Sequence, residues 1–343
     1  MERKSKIRAG VLAAIGAGAV ALVIAGNPAV STDATATTTA DRAPGYVRYV
    51  PDNLFAVSFR GANNGWAAGY YGTLLQTTDG GKSWVRRPLK SNDLIRRVRF
   101  LNDREGWAVG HRGSIFHTED GGSNWTVQHQ VPDVYLRDIA MVDSENGWAV
   151  GHKKTILHTT DGGRSWTPQT FAHRTQDPPR LNGIAAYDAM NAVAVGEFGV
   201  LIRTSDGGAT WTQIPSPAET TYTAVAVAGD HAIAVGLTGY LTYIPREGGA
   251  PKVIPTPAPL HVLDIALDPA GNGFAVGAGS AYRISGETAT PVKIDVPHGA
   301  DQVWFGGVAL LPNGRAVTVG LRGLMARYDP AKQEFAAMAD WSK

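Results

Sequence analysis

Seven times along this chain an apolar stretch runs into a glycine, turns, and resumes as a second apolar stretch. The copies read GWAAGYYGTLLQT, GWAVGHRGSIFHT, GWAVGHKKTILHT, AVAVGEFGVLIRT, AIAVGLTGYLTYI, GFAVGAGSAYRIS and AVTVGLRGLMARY. Their reference glycines are Gly69, Gly110, Gly151, Gly196, Gly236, Gly277 and Gly320, so neighbouring copies lie 40 to 45 residues apart. A unit of that length holds about four short strands and cannot bury its own faces, so each unit must stack on its neighbours. The pattern predicts an all-β fold, a seven-bladed β-propeller with four antiparallel strands per blade. In blade 2 the alternation of apolar and polar residues predicts strand A at 95–100, B at 106–110, C at 114–117 and D at 125–129. Blades are expected near 52–90, 93–131, 134–171, 180–217, 220–258, 260–298 and 301–342, leaving 37–51 as a linker. Residues 334–338 should form strand D of blade 7, and residues 46–50 are expected to pair outside it.

Four units carry a second motif between strands C and D: TTDGGKSW at 77–84, TEDGGSNW at 118–125, TTDGGRSW at 159–166 and TSDGGATW at 204–211. The chemistry is that of a turn. The carboxylates of Asp79, Asp120, Asp161 and Asp206 accept backbone N–H groups, and the paired glycines allow positive φ. Trp84, Trp125, Trp166 and Trp211 are expected to fill the gaps between blades. The motif resembles the Asp-box, or BNR repeat, of sialidase-type propellers. Combined with the GWAVG strand and repeated to seven blades, it more closely resembles the photosystem II stability/assembly factor family. The resemblance covers residues 52–343 and is strongest in blades 1–4; blades 5–7 replace the turn with PREGGAPKV, SGETATPVK and DPAKQEFAA. It implies a non-enzymatic propeller, without a cofactor, that binds membrane subunits during assembly, partly through an arginine-rich patch. The implied partner is a membrane protein or its exported segment, either a photosystem subunit or a transporter, and the chain is expected to act as a monomer.

The amino terminus points outside the cytoplasm. Arg3, Lys4, Lys6 and Arg8 precede an uncharged apolar run at 9–26 and a small, polar stretch, with ATA at 34–36 as a cleavage site. This is a signal-peptide pattern, and the run also reaches the short limit of a membrane anchor. There is no Cys, which excludes disulfides, thiolate metal sites and a Cys nucleophile. The formal charge is +2, but removing residues 1–36 leaves 28 basic against 28 acidic side chains. A neutral domain is a poor general nucleic-acid binder. Charge is unevenly spread: residues 45–174 carry 16 basic and 12 acidic groups, residues 175–343 carry 11 and 15.

Catalysis finds little support. The four turn aspartates occupy separate blades, too far apart to act as an acid/base pair. There is no G-x-S-x-G, H-E-x-x-H or Walker loop, and no sialidase-type arginine triad. His111 and His152, like His117 and His158, recur by repeat symmetry, with no third ligand to suggest a metal. Trp66, Trp107 and Trp148 open strand B in three blades, either as inter-blade packing or as a sugar platform. The informative cluster is basic and aromatic. In a propeller the B–C turns and D–A links share one face, which collects Arg96, Arg97, Arg112, Arg137, Lys153, Lys154, Arg180 and Arg322 with Tyr70, Tyr71 and Tyr135. Arginine pairs with carboxylates and stacks on aromatics, which suits peptide recognition. Asp93, Asp133, Asp138 and Glu197 lie nearby and favour an ordinary solvated surface instead. The leading expectation is an exported binding scaffold. The alternative is a glycan-binding or glycoside-hydrolase-like propeller, recognisable by two carboxylates facing each other in a pocket.

Overall fold

The computed structural model describes residues 53–338 apart from 88, 90 and 174–176. The apolar run at 9–26, the linker and the expected strand at 46–50 lie outside the described residues. The chain forms a seven-bladed β-propeller of four-stranded antiparallel blades, each built from consecutive strands A to D. The innermost strands are Leu54–Arg60, Ile95–Phe100, Leu136–Met141, Leu181–Ala186, Tyr222–Ala228, Val262–Leu267 and Phe305–Leu311. In blade 2 the remaining strands are Gly106–Gly110, Ile115–Thr118 and Thr126–His129. Blade 7 ends on Glu334–Ala337, as the repeat predicts. Its outer edge is taken by Lys293–Asp295, which runs parallel to it. Repeat spacing assigns those three residues to blade 6; they leave it to cover what would otherwise be an unpaired strand edge.

There is no single central core. Seven apolar clusters each join two neighbouring blades, as expected of units that can bury their faces only by stacking. Trp66, Trp107 and Trp148 are buried, so none can present a platform to a sugar. Trp66 stacks on Phe100 of the next blade, and its indole N–H donates to Gly121 O at 3.1 Å.

The four D-G-G turns have one hydrogen-bond plan. In blade 1, Ser83 N and Oγ donate to the two oxygens of Asp79, at 2.9 and 2.6 Å, while Gly81 N donates to Thr77 Oγ1. Each turn also serves the blade before it. The carbonyl of its first glycine accepts a side-chain donor from that blade: Gln76 to Gly121, Gln128 to Gly162, Gln169 to Gly207. The Arg327 guanidinium of blade 7 does the same to Gly80, closing the ring onto blade 1. Gly307 makes that closure possible, because a Cβ there would lie 2.9 Å from Ala56 Cα.

Candidate functional site

The B–C turns and D–A links meet on one face: Tyr70 N donates to Asn53 O, Gly72 N to Asp93 O, and Val131 N to Arg112 O. The tips of the B–C turns share an uncommon conformation. Tyr71, Arg112, Lys153, Phe198, Thr238 and Arg322 all have φ between 51° and 57°. Two left-handed residues in succession reverse the chain tightly, and in blades 1, 2, 4, 5 and 7 the second is glycine. This throws the first side chain outward: Tyr71 is 64%, Arg112 66% and Phe198 66% exposed.

Deeper in, every strand A is interrupted at the same place. The register shifts at Phe55, Arg96, Arg137, Asn182, Thr223, Leu263 and Gly306, one β-bulge per blade. A bulge re-aims its side chain, and here it does so around the channel mouth. Phe55 stacks on Trp304 at 5.6 Å and meets the Tyr70 ring edge-on at 5.0 Å, and the Arg96 guanidinium lies 5.3 Å from the Phe55 ring centre. Asn182 and Thr223 donate to the next blade's backbone, at Tyr222 O and Val262 O. Arg96 and Arg137 do not resolve in that way. Arg96 Nη1 and Arg137 Nε are buried without a hydrogen-bond partner. Burial and then the charge of Arg97 hold Arg96 down to about 10; burial and then the charge of Arg96 hold Arg137 down to about 9. Both remain cations at neutral pH; Asp264 and Asp138 act on Arg96, and Glu197 on Arg137, through space, and none of them bonds the two orphaned nitrogens.

One residue inward along strand A the charges are satisfied. Arg97 is sealed in the channel, 2.9 Å from Asp138 Oδ1 of the next blade and 3.1 Å from both oxygens of Asp264 across the channel. Asp138 Oδ2 also accepts Ile184 N, and Asp264 Oδ2 accepts Val308 N, so this one cluster ties together blades 2, 3, 4, 6 and 7.

The structure therefore corrects the sequence reading at Arg97. It is 2% exposed and fully engaged, so it is a bolt of the ring and cannot meet a partner. Asp138, expected as a surface neighbour, belongs to the same bolt. The rest of the basic and aromatic set does lie on the mouth face. Arg112 pairs with Asp93 at 3.1 Å and Arg180 with Glu197 at 3.5 Å, while Lys153 and Arg322 sit exposed on turn tips. Lys154 lies 6.0 Å from the Phe171 ring centre. Tyr135 is held edge-on between His111 and His152, at 4.5 and 4.9 Å. Burial and the charge of Arg137 push His152 down to about 4, so it is neutral and adds no charge to the arc. A recess of about 330 Å³ lined by Tyr71, Arg86, Arg87 and Ser91 adjoins the outer rim. Phe55, Trp304 and Phe198 were missed from the sequence. Phe55 and Trp304 precede apolar strand residues and read as core, and Phe198 sits in a turn that offers no other sign of exposure.

The turn aspartates lie on the opposite face, where Gly80 N donates to Asn63 O of the A–B turn. Hydrogen bonds from the Ser165 and Thr210 side chains, then from their backbones, hold Asp161 and Asp206 down to about 2. Asp138 and Asp264, brought together by sharing the Arg97 guanidinium, are both buried and so closed to a substrate. No group of three His, Cys, Asp or Glu among the described residues could hold a metal ion.

The molecule is thus a seven-bladed propeller whose polar and aromatic convergence lies at one mouth of its channel. The chain belongs to the family of the photosynthesis system II assembly factor YCF48, whose family model matches residues 48–132 and 126–229, more than half its length. No curated protein is detectably similar in sequence. Solved structures share the fold. A structure of YCF48 bound to D1 peptide is 20% identical over 87% of this chain and 99% of that one, with a TM-score of 0.62. YCF48 from Cyanidioschyzon merolae is 19% identical over 82% and 97%, with a TM-score of 0.65. An ancestral GH74 enzyme is 11% identical over 84% of this chain but only 46% of its own, with a TM-score of 0.65.

Proposed function

We propose that this chain is a non-catalytic, exported scaffold that receives an acidic segment of a membrane protein at the mouth of the propeller. The observation that carries this is the pair Arg96 and Arg137, whose buried donors Nη1 and Nε have no partner in the protein. A buried donor without a partner is costly, and a carboxylate arriving at these half-buried guanidinium groups offsets that cost with charge-assisted hydrogen bonds. The flanking shelf of Phe55, Trp304 and Tyr70 offers apolar side chains of the same segment a surface to stack on. The solved YCF48 relative that holds a D1 peptide supports a peptide as occupant. Export rests on the basic and apolar amino terminus.

The glycosidase alternative draws less support. The GH74 relative covers this chain with less than half of its own, and the facing carboxylates here are bonded to Arg97 and closed to water. The deciding experiment immobilises the propeller, passes detergent-solubilised membranes over it, and compares capture with that by the Arg96→Gln/Arg137→Gln double variant. A membrane protein retained by the first and lost by the second is expected. Equal retention by both would remove the mouth as the site.

A further inference from the structure

Between blades 4 and 5, on the face opposite the mouth, the repeat fails in a way that leaves a cavity. In blades 1–3 strand B carries a tryptophan paired across the sheet with a polar residue of strand C: Trp66 with Gln76, Trp107 with His117, Trp148 with His158. Those indoles fill the gap to the following blade. Blade 4 has Val193 at this place, paired with Arg203. Blade 5 lacks the D-G-G turn as well, so no second tryptophan enters from the other side. What remains is a cavity of about 240 Å³, walled by Val193, Ile244 and Pro245 and faced by Tyr187, Arg203 and Arg246.

Its polar groups are set out as donors. The Tyr187 hydroxyl is buried with no hydrogen-bond partner, and burial pushes the phenol up, so it stays protonated. The Arg203 guanidinium makes no hydrogen bond or ion pair among the described residues. Arg246 lies 4.6 Å from the Tyr187 ring centre, and its Nη2 donates to Asp188 at 2.6 Å, which fixes the plane of the guanidinium. Three carboxylates border the site: Asp188 is taken up by Arg246, Asp230 is near enough to act on the Tyr187 phenol, and Glu247 stands exposed at the rim.

We infer that this inter-blade cavity is a binding site for a small organic oxyanion, a carboxylate or a phosphate ester. The anion would accept from Tyr187 Oη and Arg203, and its apolar body would lie against Val193, Ile244 and Pro245. The site is separate from the mouth and does not depend on how the mouth is used.

Benzoate and phenyl phosphate are suitable probes, with benzyl alcohol as the neutral control, each titrated calorimetrically into the full propeller. Saturable binding with a Kd on the order of 1 mM is expected for a probe of this size, with no binding of the alcohol. Whichever probe binds more tightly identifies the anion as carboxylate or phosphate. Arg203→Gln places the blade 1 residue in blade 4 and should weaken binding about tenfold or more, the scale of a lost charge-assisted hydrogen bond. Val193→Trp restores the side chain of blades 1–3 and should abolish binding by filling the cavity; Arg203→Gln decides the matter should that variant not fold. Arg96→Gln/Arg137→Gln should bind the probe as the parent does. Absence of saturable binding, equal binding by Arg203→Gln, or loss in the mouth variant alone would each overturn the site.

Discussion

Arg96 and Arg97 are neighbours in sequence and have opposite energetic roles. Arg97 holds two buried carboxylates from blades 3 and 6, so Arg97→Ala leaves both uncompensated. Breaking a buried ion pair from one side costs about 3–5 kcal/mol, and a loss of that size in the denaturant unfolding of the variant is expected. Arg96 and Arg137 have no such partner, and removing their charge should leave unfolding unchanged or slightly harder. A stability loss for Arg96→Gln/Arg137→Gln as large as that of Arg97→Ala would mean that the mouth arginines are structural too. The turn aspartates give a pH signature. Their folded pKa lies below the ordinary 3.8, at about 2 for Asp161 and Asp206, so the stability they contribute is complete above about pH 4 and lost as pH falls toward 2. Acid unfolding of Asp161→Asn/Asp206→Asn should therefore show a shallower dependence across that window than the parent. A parallel dependence in the two proteins would contradict this.

At the scale of the element, the B–C turn shows one position where sequence and conformation disagree. Glycine follows the exposed tip in blades 1, 2, 4, 5 and 7, at Gly72, Gly113, Gly199, Gly239 and Gly323, all with positive φ. Blade 3 has Lys154 there, at φ 52°. A left-handed residue with a Cβ costs roughly 1–2 kcal/mol, part of which glycine gives back as unfolded-state entropy. Lys154→Gly should therefore raise stability by about 0.5–1 kcal/mol, less whatever the contact with Phe171 contributes, and a melting curve shifted downward would refute the strain. The turns also mark the limit of sequence reading. Strand order, blade number and the D-G-G turns were legible because glycine spacing and apolar alternation write them directly into the chain. The bulge in strand A was not, since a register shift leaves no mark in composition. It is why Arg96 and Arg97 take different surroundings, and why Arg97, counted from the sequence with the D–A link of the mouth face, is instead sealed inside strand A. Asp264 lies 167 residues away from Arg97, and no local pattern could have joined them.

On the scale of the whole molecule, the ring is a chain of seven interfaces, and the D-G-G turns do as much for their neighbours as for themselves. Each offers a glycine carbonyl to the preceding blade, so the same motif that reads as a local turn also links blades 7 to 1, 1 to 2, 2 to 3 and 3 to 4. That division assigns the two faces different work. The D-G-G face links the blades through its turn carbonyls, while the mouth face holds the half-buried donors of Arg96 and Arg137 without hydrogen-bond partners. A comparison of the faces tests this. Replacing Arg96, Arg112 and Arg137 by alanine should weaken capture of the membrane-protein segment while leaving the fold intact, because none of the three belongs to the ion cluster in the channel. Replacing Lys82 and Arg164 on the other face should leave capture unchanged, since both are exposed and neither is near the mouth. Capture should also weaken with added salt through the contribution of the exposed Arg112, Lys153 and Arg322, whose charges are screened over about 8 Å at physiological ionic strength. The buried donors of Arg96 and Arg137 are shielded from that screening, so a residual, salt-resistant fraction should remain in the parent and disappear in the triple variant. Binding measured from low to high salt in the three proteins gives the answer. Equal affinity and equal salt dependence for both variants would show the mouth to be an ordinary solvated surface.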